Sequence, residues 1–137
     1  MITFNYETAF VLANEATMIS WITEVVQRES FKVGEINYIF CNDEDLHKIN
    51  LEFLQHDNYT DIISFDYTLG KIINGDIYIS VDRVKENAHV YKTSLVNEMY
   101  RVMVHGILHY IGYKDKTKQD KEQMRLAEDK MLRFINY

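Results

Sequence analysis

The segment from Ser94 to Gly112 constrains the fold more than any other part of this chain. Apolar residues recur there at helical spacing, which predicts a long helix with one buried side. That buried stripe consists of Leu95, Met99, Val102, Met103, Gly106 and Ile107. Ser94 is a suitable residue to open the helix, because its hydroxyl can accept a hydrogen bond from a backbone N–H of the first turn. Other elements must cover such a stripe, so we expect a long central helix.

This helix carries two histidines and is followed by a glycine and an acid. His105 and His109 are four residues apart, so they lie on one helix face with Cβ atoms about 5–6 Å apart. Gly112 can end the helix in a left-handed turn, and the chain can then fold back to present the Asp115 carboxylate. Two histidines, one acid and an open position are typical of a catalytic zinc site. The sequence therefore predicts one divalent ion, first of all Zn²⁺, with a metal-bound water as the catalytic group.

Two residues near the first histidine bear on the type of chemistry. A zinc peptidase of the His-Glu-x-x-His type has its general base directly after the first histidine, whereas Gly106 has no proton acceptor. A metal-dependent hydrolase of peptides or small molecules is therefore a minor alternative. Glu98 lies seven residues before His105, about two turns away and on roughly the same face. It is a candidate to orient a ligand or accept a proton, and the alternative is a solvated side chain.

Composition limits the class of protein. With 137 residues, of which 47% are hydrophobic, we expect a single domain over residues 1–137 with a substantial core. No stretch resembles a membrane span or a secretory signal. The single Cys41 ends a predicted strand and is expected to be a small buried hydrophobe, which fits a reduced cytoplasmic compartment. Because there is no cysteine cluster, a metal site must use histidine and carboxylate.

The net charge of −6 is unusual for a protein that binds nucleic acid, because phosphate contacts depend on Lys and Arg. Lysines are nevertheless grouped after the metal motif, at Lys114, Lys116, Lys118 and Lys121. They form either a basic rim beside the metal or the solvated start of the last helix.

The remaining elements alternate in a mixed order. Strands are predicted over Ile2–Tyr6, Gly34–Cys41, Asp61–Asp66 and Gly75–Val81, with a turn over Leu69–Asn74. Helices are predicted over Ala16–Glu29, from Asn42 to about Leu54, from Asp82 as the cap to about Tyr91, and over Lys118–Ile135. The last two strands are expected to form a hairpin. This order predicts one α+β domain, a small mixed sheet packed by about five helices, with the metal site at the end of the central helix.

Three groups of residues occur in an order that is typical of one known family. The metal motif contributes His105, Gly106, Leu108, His109, Gly112 and Tyr113. Upstream are Asn50, then Thr60-Asp61-Ile62-Ile63-Ser64-Phe65, then Gly75-Asp76-Ile77. Glu98, Met124 and Glu128 match further family positions. In these motifs and over nearly its whole length, the chain resembles the YbeY family of bacterial metal-dependent endoribonucleases.

The resemblance implies an endoribonuclease specific for single-stranded RNA. It would act in end maturation of the small-subunit ribosomal RNA and in ribosome quality control. Implied partners are ribosomal RNA, the small subunit and ribosomal proteins or a GTPase, in the cytoplasm and without a membrane. The candidates to line the substrate cleft are Asn50, Thr60, Asp61 and Ser64. Lys114 and Lys116 are candidates to bind substrate at its basic rim. The alternative for Thr60 and Asp61 is local pairing with backbone groups where a loop enters a strand.

Two positions depart from the family pattern. The family usually has a third histidine where this chain has Asp115, so a Zn²⁺ site would be near +1, its water less acidic, and Mn²⁺ or Ni²⁺ more readily admitted. The family often has an arginine where this chain has Leu54, which removes a bidentate phosphate donor. His56, Lys85 and Arg101 are candidates to replace it. The missing arginine and the acidic total also leave open a ribosome-assembly factor with a structural metal site.

Overall fold

The computed structural model describes residues 1–135, in an α+β arrangement of four strands and five helices. The strands are β1 (Ile2–Tyr6), β2 (Lys32–Cys41), β3 (Ile62–Asp66) and β4 (Ile72–Ser80). The helices are α1 (Glu15–Arg28), α2 (Asp43–Leu54), α3 (Val81–Val90), α4 (Leu95–Ile111) and α5 (Lys118–Leu132). The predicted fold class is confirmed. Within these residues, none of the helices is long and apolar enough to cross a membrane.

The strands form one mixed sheet in the order β1-β2-β4-β3. β1 and β4 both run parallel to β2, with Tyr38 of β2 opposite Phe4 on one side and Ile77 on the other. β3 pairs antiparallel with β4, with Ser64 opposite Ile77, which confirms the predicted hairpin. Parallel neighbours need a crossover connection. Helix α1 makes the connection between β1 and β2, and the segment with α2 and β3 makes the one between β2 and β4.

Helix α4 packs closely on the sheet. The predicted stripe is buried except for Leu95, which is half-buried. The Tyr38 hydroxyl donates to the Met103 carbonyl oxygen at 2.9 Å. A Cβ on Gly106 would lie 3.1 Å from Cδ1 of Ile77 and 3.2 Å from Cδ1 of Ile62. The absence of a side chain at Gly106 therefore lets the helix approach β3 and β4 at the level of its first histidine.

Several predicted boundaries were wrong; β2, for example, begins at Lys32 and not at Gly34. β4 begins at Ile72 and not at Gly75, because Ile72 and Ile73 continue the parallel ladder with β2, so the predicted turn is shorter. The cap of α3 is Ser80, whose hydroxyl accepts from the Arg83 N–H at 3.1 Å. The predicted cap, Asp82, instead accepts from the backbone N–H of Asp43 at 3.0 Å. The last helix ends at Leu132 instead of Ile135.

Gly75→Ala is expected to destabilise the fold. A methyl group there would overlap the ring of Tyr110, which is only 6% exposed. The Tyr110 hydroxyl donates to the carbonyl oxygens of Phe65 at 3.0 Å and Asp76 at 3.2 Å, so the ring has little freedom to move. Overpacking of this kind costs about 1–3 kcal/mol, measurable as a lower free energy of unfolding in urea. In a Tyr110→Leu background the same change should cost clearly less, and an equal cost in both backgrounds would contradict the account.

The thiol of Cys41 is expected to be unreactive in the folded protein. It is 1% exposed, as predicted for a buried hydrophobe. Burial, together with the charges of Asp45 and Glu7, raises the pKa of Cys41 to about 12. Three pH units above an ordinary thiol pKa lower the thiolate fraction about a thousandfold. Alkylation by iodoacetamide near neutral pH should therefore be slow in buffer and fast in concentrated urea, and rapid labelling of the native protein would disprove this burial.

Candidate metal centre

The end of α4 brings the predicted ligands together. Gly112 has a φ of +125° and ends the helix after Ile111, a conformation that favours glycine because it has no Cβ. The N–H groups of Gly112 and Tyr113 both donate to the Leu108 carbonyl oxygen, at 3.1 and 3.0 Å. The predicted glycine stop is confirmed. The chain reverses there, so that Asp115 returns towards the face that carries both histidines.

Three ligand atoms converge. The two Nε2 atoms of His105 and His109 are 3.0 Å apart, and Oδ2 of Asp115 is 3.3 Å from each of them. Around a tetrahedral Zn²⁺ with bonds near 2.0–2.1 Å, neighbouring ligand atoms are about 3.3 Å apart. Within residues 1–135, these three side chains are the group of His, Cys and acids that could hold a metal ion.

The outer nitrogen of each imidazole is held by an acceptor. Nδ1 of His109 lies 3.0 Å from the Tyr113 carbonyl oxygen, and Nδ1 of His105 lies 2.6 Å from Oε2 of Glu128. A carbonyl oxygen or a carboxylate can only accept, so each Nδ1 carries a proton, and in the neutral ring that a metal ligand requires each Nε2 presents a lone pair. Two lone pairs and a carboxylate oxygen therefore face one another. Such a set is repulsive by itself and is stabilised by a cation between its members, so the residues fit a divalent metal ion.

Glu128 is the principal residue that supports the ligands. It is 5% exposed, and its Oε1 accepts from Arg101 at 2.9 Å. Arg101 also pairs with Asp129 at 2.6 Å, so the arginine supports both carboxylates. Burial lowers the pKa of His105, but the hydrogen bond and charge of Glu128, with the charges of Asp115 and Asp61, outweigh it and raise the pKa overall.

The sequence interpretation proposed Glu98 for this orienting role and gave none to Glu128. The sequence feature that indicates a buried role for Glu128 is its position four residues after Met124, on the buried side of α5. A carboxylate at such a position must be paired, because burial of an unpaired charge is costly.

Glu98 lies in the cleft beside the ligands. It is 6% exposed, so it is not the solvated side chain that the sequence left open. Within residues 1–135 its carboxylate has no hydrogen-bond partner. Burial raises its pKa above that of an ordinary glutamate, partly offset by the charge of Arg101.

The ligands open onto a cleft of about 500 Å³. Its walls come from the loop before β3, from β3 itself and from helices α3, α4 and α5. They include Thr60, Asp61, Ile62, Ser64, Asn87, Tyr91, Glu98, Arg101, Val102, His105, His109, Asp115, Lys121, Met124, Arg125 and Glu128. The polar lining suits a charged substrate better than an apolar one.

Three of the predicted substrate residues, Thr60, Asp61 and Ser64, line this cleft. Burial raises the pKa of Asp61, against the opposing charge of His105, and its Oδ2 accepts from Asn87 at 3.2 Å. Asn50 does not line the cleft. It is 2% exposed and donates to the Asn58 carbonyl oxygen at 2.9 Å, so it holds the loop that leads to Thr60.

The basic residues are distributed differently from the sequence pattern. Lys114 lies in a shallow recess with Gly112 and Gln119, and Lys116 is exposed; neither lines the cleft. Of the three candidates to replace an arginine at position 54, only Arg101 lines it, and His56 and Lys85 do not. Leu54 is 42% exposed at the end of α2.

Comparison with known proteins identifies close relatives. The model of the family described as Endoribonuclease YbeY matches residues 3–136. A protein of Flavobacterium johnsoniae named Endoribonuclease YbeY is 56% identical over 136 residues, which cover 99% of this chain and 98% of the relative. A protein of the same name from Flavobacterium psychrophilum is 51% identical over 136 residues, which cover 99% of this chain and 97% of the relative.

A solved structure shares the fold. The solution structure of TM1509 from Thermotoga maritima aligns with a TM-score of 0.64 at 24% identity, over 96% of this chain and 89% of that chain. The family model covers nearly the whole chain and the named relatives share about half of its residues or more, so the chain belongs to the Endoribonuclease YbeY family.

Proposed function

We propose that this protein is an endoribonuclease that uses one divalent ion, Zn²⁺ in the first place, to cut single-stranded RNA. The observation that carries the proposal is the convergence of Nε2 of His105, Nε2 of His109 and Oδ2 of Asp115 at 3.0–3.3 Å beside a polar cleft. The names of the relatives support the same activity, since each is called an endoribonuclease.

The chain's own residues divide the work. His105, His109 and Asp115 would hold a divalent ion, which would supply electrostatic stabilisation of the charge that develops on a scissile phosphate. Glu128 fixes the ring of His105 through Nδ1, and the Tyr113 carbonyl fixes that of His109. Glu98 would act as the proton acceptor, because it lines the cleft. Burial raises the pKa of its carboxyl group, which brings it closer to the value suited to proton transfer near neutrality.

The substrate contacts are assigned by position. Thr60 and Ser64 would contact the RNA through their hydroxyl groups, with Asp61 beside them, because all three line the cleft. Thr60 would act as an acceptor, since its hydroxyl donates to the Ile62 carbonyl oxygen at 3.4 Å, the local backbone pairing considered from the sequence. Asn50 would act through the loop that it holds. Lys114 and Lys116 would contact only parts of the RNA that extend beyond the cleft.

The biological substrate follows from the family. We propose end maturation of the small-subunit ribosomal RNA and ribosome quality control, in the cytoplasm. Ribosomal proteins or a GTPase would serve as partners. Depletion of the protein should then leave precursor ends on small-subunit RNA, and normal ends would refute this assignment.

The structure disfavours a peptidase. Gly106 faces Ile62 and Ile77 of the sheet, so the position that carries the base in the His-Glu-x-x-His enzymes is turned away from the cleft. This position therefore gives no support to peptide hydrolysis.

His109→Ala should abolish stoichiometric metal binding, because one of three ligands is lost and the remaining two cannot hold the ion as tightly. Metal analysis of purified protein should give about one ion per chain in the wild type and well under a tenth in the variant. Added Zn²⁺ should raise the melting temperature of proteins with an intact site, but not that of His109→Ala. His89→Ala, at an exposed position of α3 outside the cleft, is the matched control. Equal metal content in all three proteins would refute the site.

Glu98→Gln should lower kcat for single-stranded RNA by about a hundredfold, because the amide cannot accept the proton. Metal content and KM should stay near the wild-type values. Glu86→Gln, at an exposed position of α3, controls for the loss of one negative charge. Duplex RNA, single-stranded DNA and a peptide pool should be cut poorly by the wild type. A Glu98→Gln enzyme with wild-type kcat would remove Glu98 from the mechanism.

A further inference from the structure

A row of basic residues runs along one face of α5. Lys118, Lys121 and Arg125 follow at spacings of three and four residues, which places them on one side of the helix. Along the axis the steps are about 4.5 and 6 Å, at 1.5 Å per residue. The next residue on this face is Glu128, which holds the metal ligand His105. The basic row, defined by these three cations, therefore lies on the same side of α5 as a residue that supports the metal centre.

The basic row borders two adjoining depressions. Lys121 and Arg125 line the metal cleft. Together with Lys118 they also line a neighbouring groove of about 590 Å³, to which Leu126 and one acidic residue, Glu122, contribute. Leu126 is 68% exposed. Cleft and groove are thus continuous across Lys121 and Arg125, and the groove combines cations with an apolar surface, the two features that a nucleotide's phosphate and base require.

The cations of the basic row are exposed. In the part of the chain that the structure describes, the side chains of Lys121 and Arg125 make no ion pair or hydrogen bond, although the charge of Arg125 acts on Glu98 in the same cleft. Arg101, the other cation of the cleft, is already paired with Glu128 and Asp129. In a chain of net charge −6, unpaired positive charge beside a metal centre favours a polyanionic ligand at that edge.

We infer that Lys118, Lys121 and Arg125 form a phosphate-binding path along which a single-stranded RNA enters the metal cleft. The inference rests on the proposed function, because it assigns substrate contacts to the same site. Arg125, three residues before Glu128 on the same helix face, can contact two phosphate oxygens through its guanidinium, whereas the lysines act as point charges. Leu126 provides the surface against which a base rests.

Binding and cleavage test the path separately. The test protein is the metal-loaded full chain with Lys121→Gln and Arg125→Gln. The matched control carries Lys130→Gln and Arg133→Gln, two exposed cations near the end of α5 that do not line the cleft. The probe is a fluorescent 2′-O-methyl oligoribonucleotide of about twelve nucleotides, titrated at several salt concentrations with its integrity checked on a gel. Melting temperature and metal content should be equal in all three proteins.

Loss of the two path cations should weaken binding about tenfold at low salt and reduce the slope of log K against log salt by about 1.4. The control pair should leave both quantities near the wild-type values. With cleavable RNA, the path variant should show a raised KM, and Lys121→Gln alone should raise KM at nearly unchanged kcat, because the charge of Arg125 also acts on Glu98. A dinucleotide spans less of the path than the longer RNA, so its KM should rise less in the path variant.

The outcomes separate the two proposals. Equal affinity and equal salt slope in the path variant and the control overturn the path, and RNA cleavage by the wild type would leave the nuclease function standing. Salt-dependent binding that the path variant loses, without cleavage by the wild type, supports the path and overturns the nuclease function. An equal loss in the control pair shows non-specific attraction to α5 as a whole and overturns the path.

Discussion

Two hydrogen bonds donated by imidazole Nδ1–H groups determine whether this protein can bind a metal ion. The Tyr113 carbonyl holds His109, and the Glu128 carboxylate holds His105. Each bond leaves the Nε2 lone pair directed at the other ring and at Asp115. Without them the rings could turn or carry the proton on Nε2, and the three acceptor atoms would not converge. The metal-binding capacity of the protein therefore depends on one backbone carbonyl and one buried carboxylate.

The fold supplies both acceptors from opposite directions. Gly112 ends α4 and turns the chain so that the Tyr113 carbonyl comes back under His109. Glu128 comes from α5, and Arg101 holds it in place from α4 itself. On its other side α4 rests on the sheet through Gly106. The ligand helix is thus fixed between sheet and α5, while the face with the histidines stays open to the cleft.

The sequence was informative where the determinants are local. The course of α4, its Ser94 cap, its glycine stop and the clustering of three ligands all follow from residues within about twenty positions. Asp82 and Ser80 show the limit: both can cap α3, and the choice depends on Asp43, which lies far away in sequence. Glu128 likewise acquires its role only when α5 packs against α4.

The assignment of basic residues shows the same limit. Lys114 and Lys116 follow the metal motif directly in sequence, yet the reversal at Gly112 directs them away from the cleft. Lys121 and Arg125, farther along, are returned to it by α5. Proximity in sequence to a motif is a poor guide once a tight turn follows the motif.

X-ray absorption at the zinc edge on stoichiometrically loaded protein tests the central claim most directly. The account predicts two imidazole nitrogens and carboxylate oxygen at about 2.0–2.2 Å in the wild type, and loss of stoichiometric zinc in His105→Ala as in His109→Ala. A spectrum without imidazole scattering, or one that stays the same in His105→Ala, would contradict it.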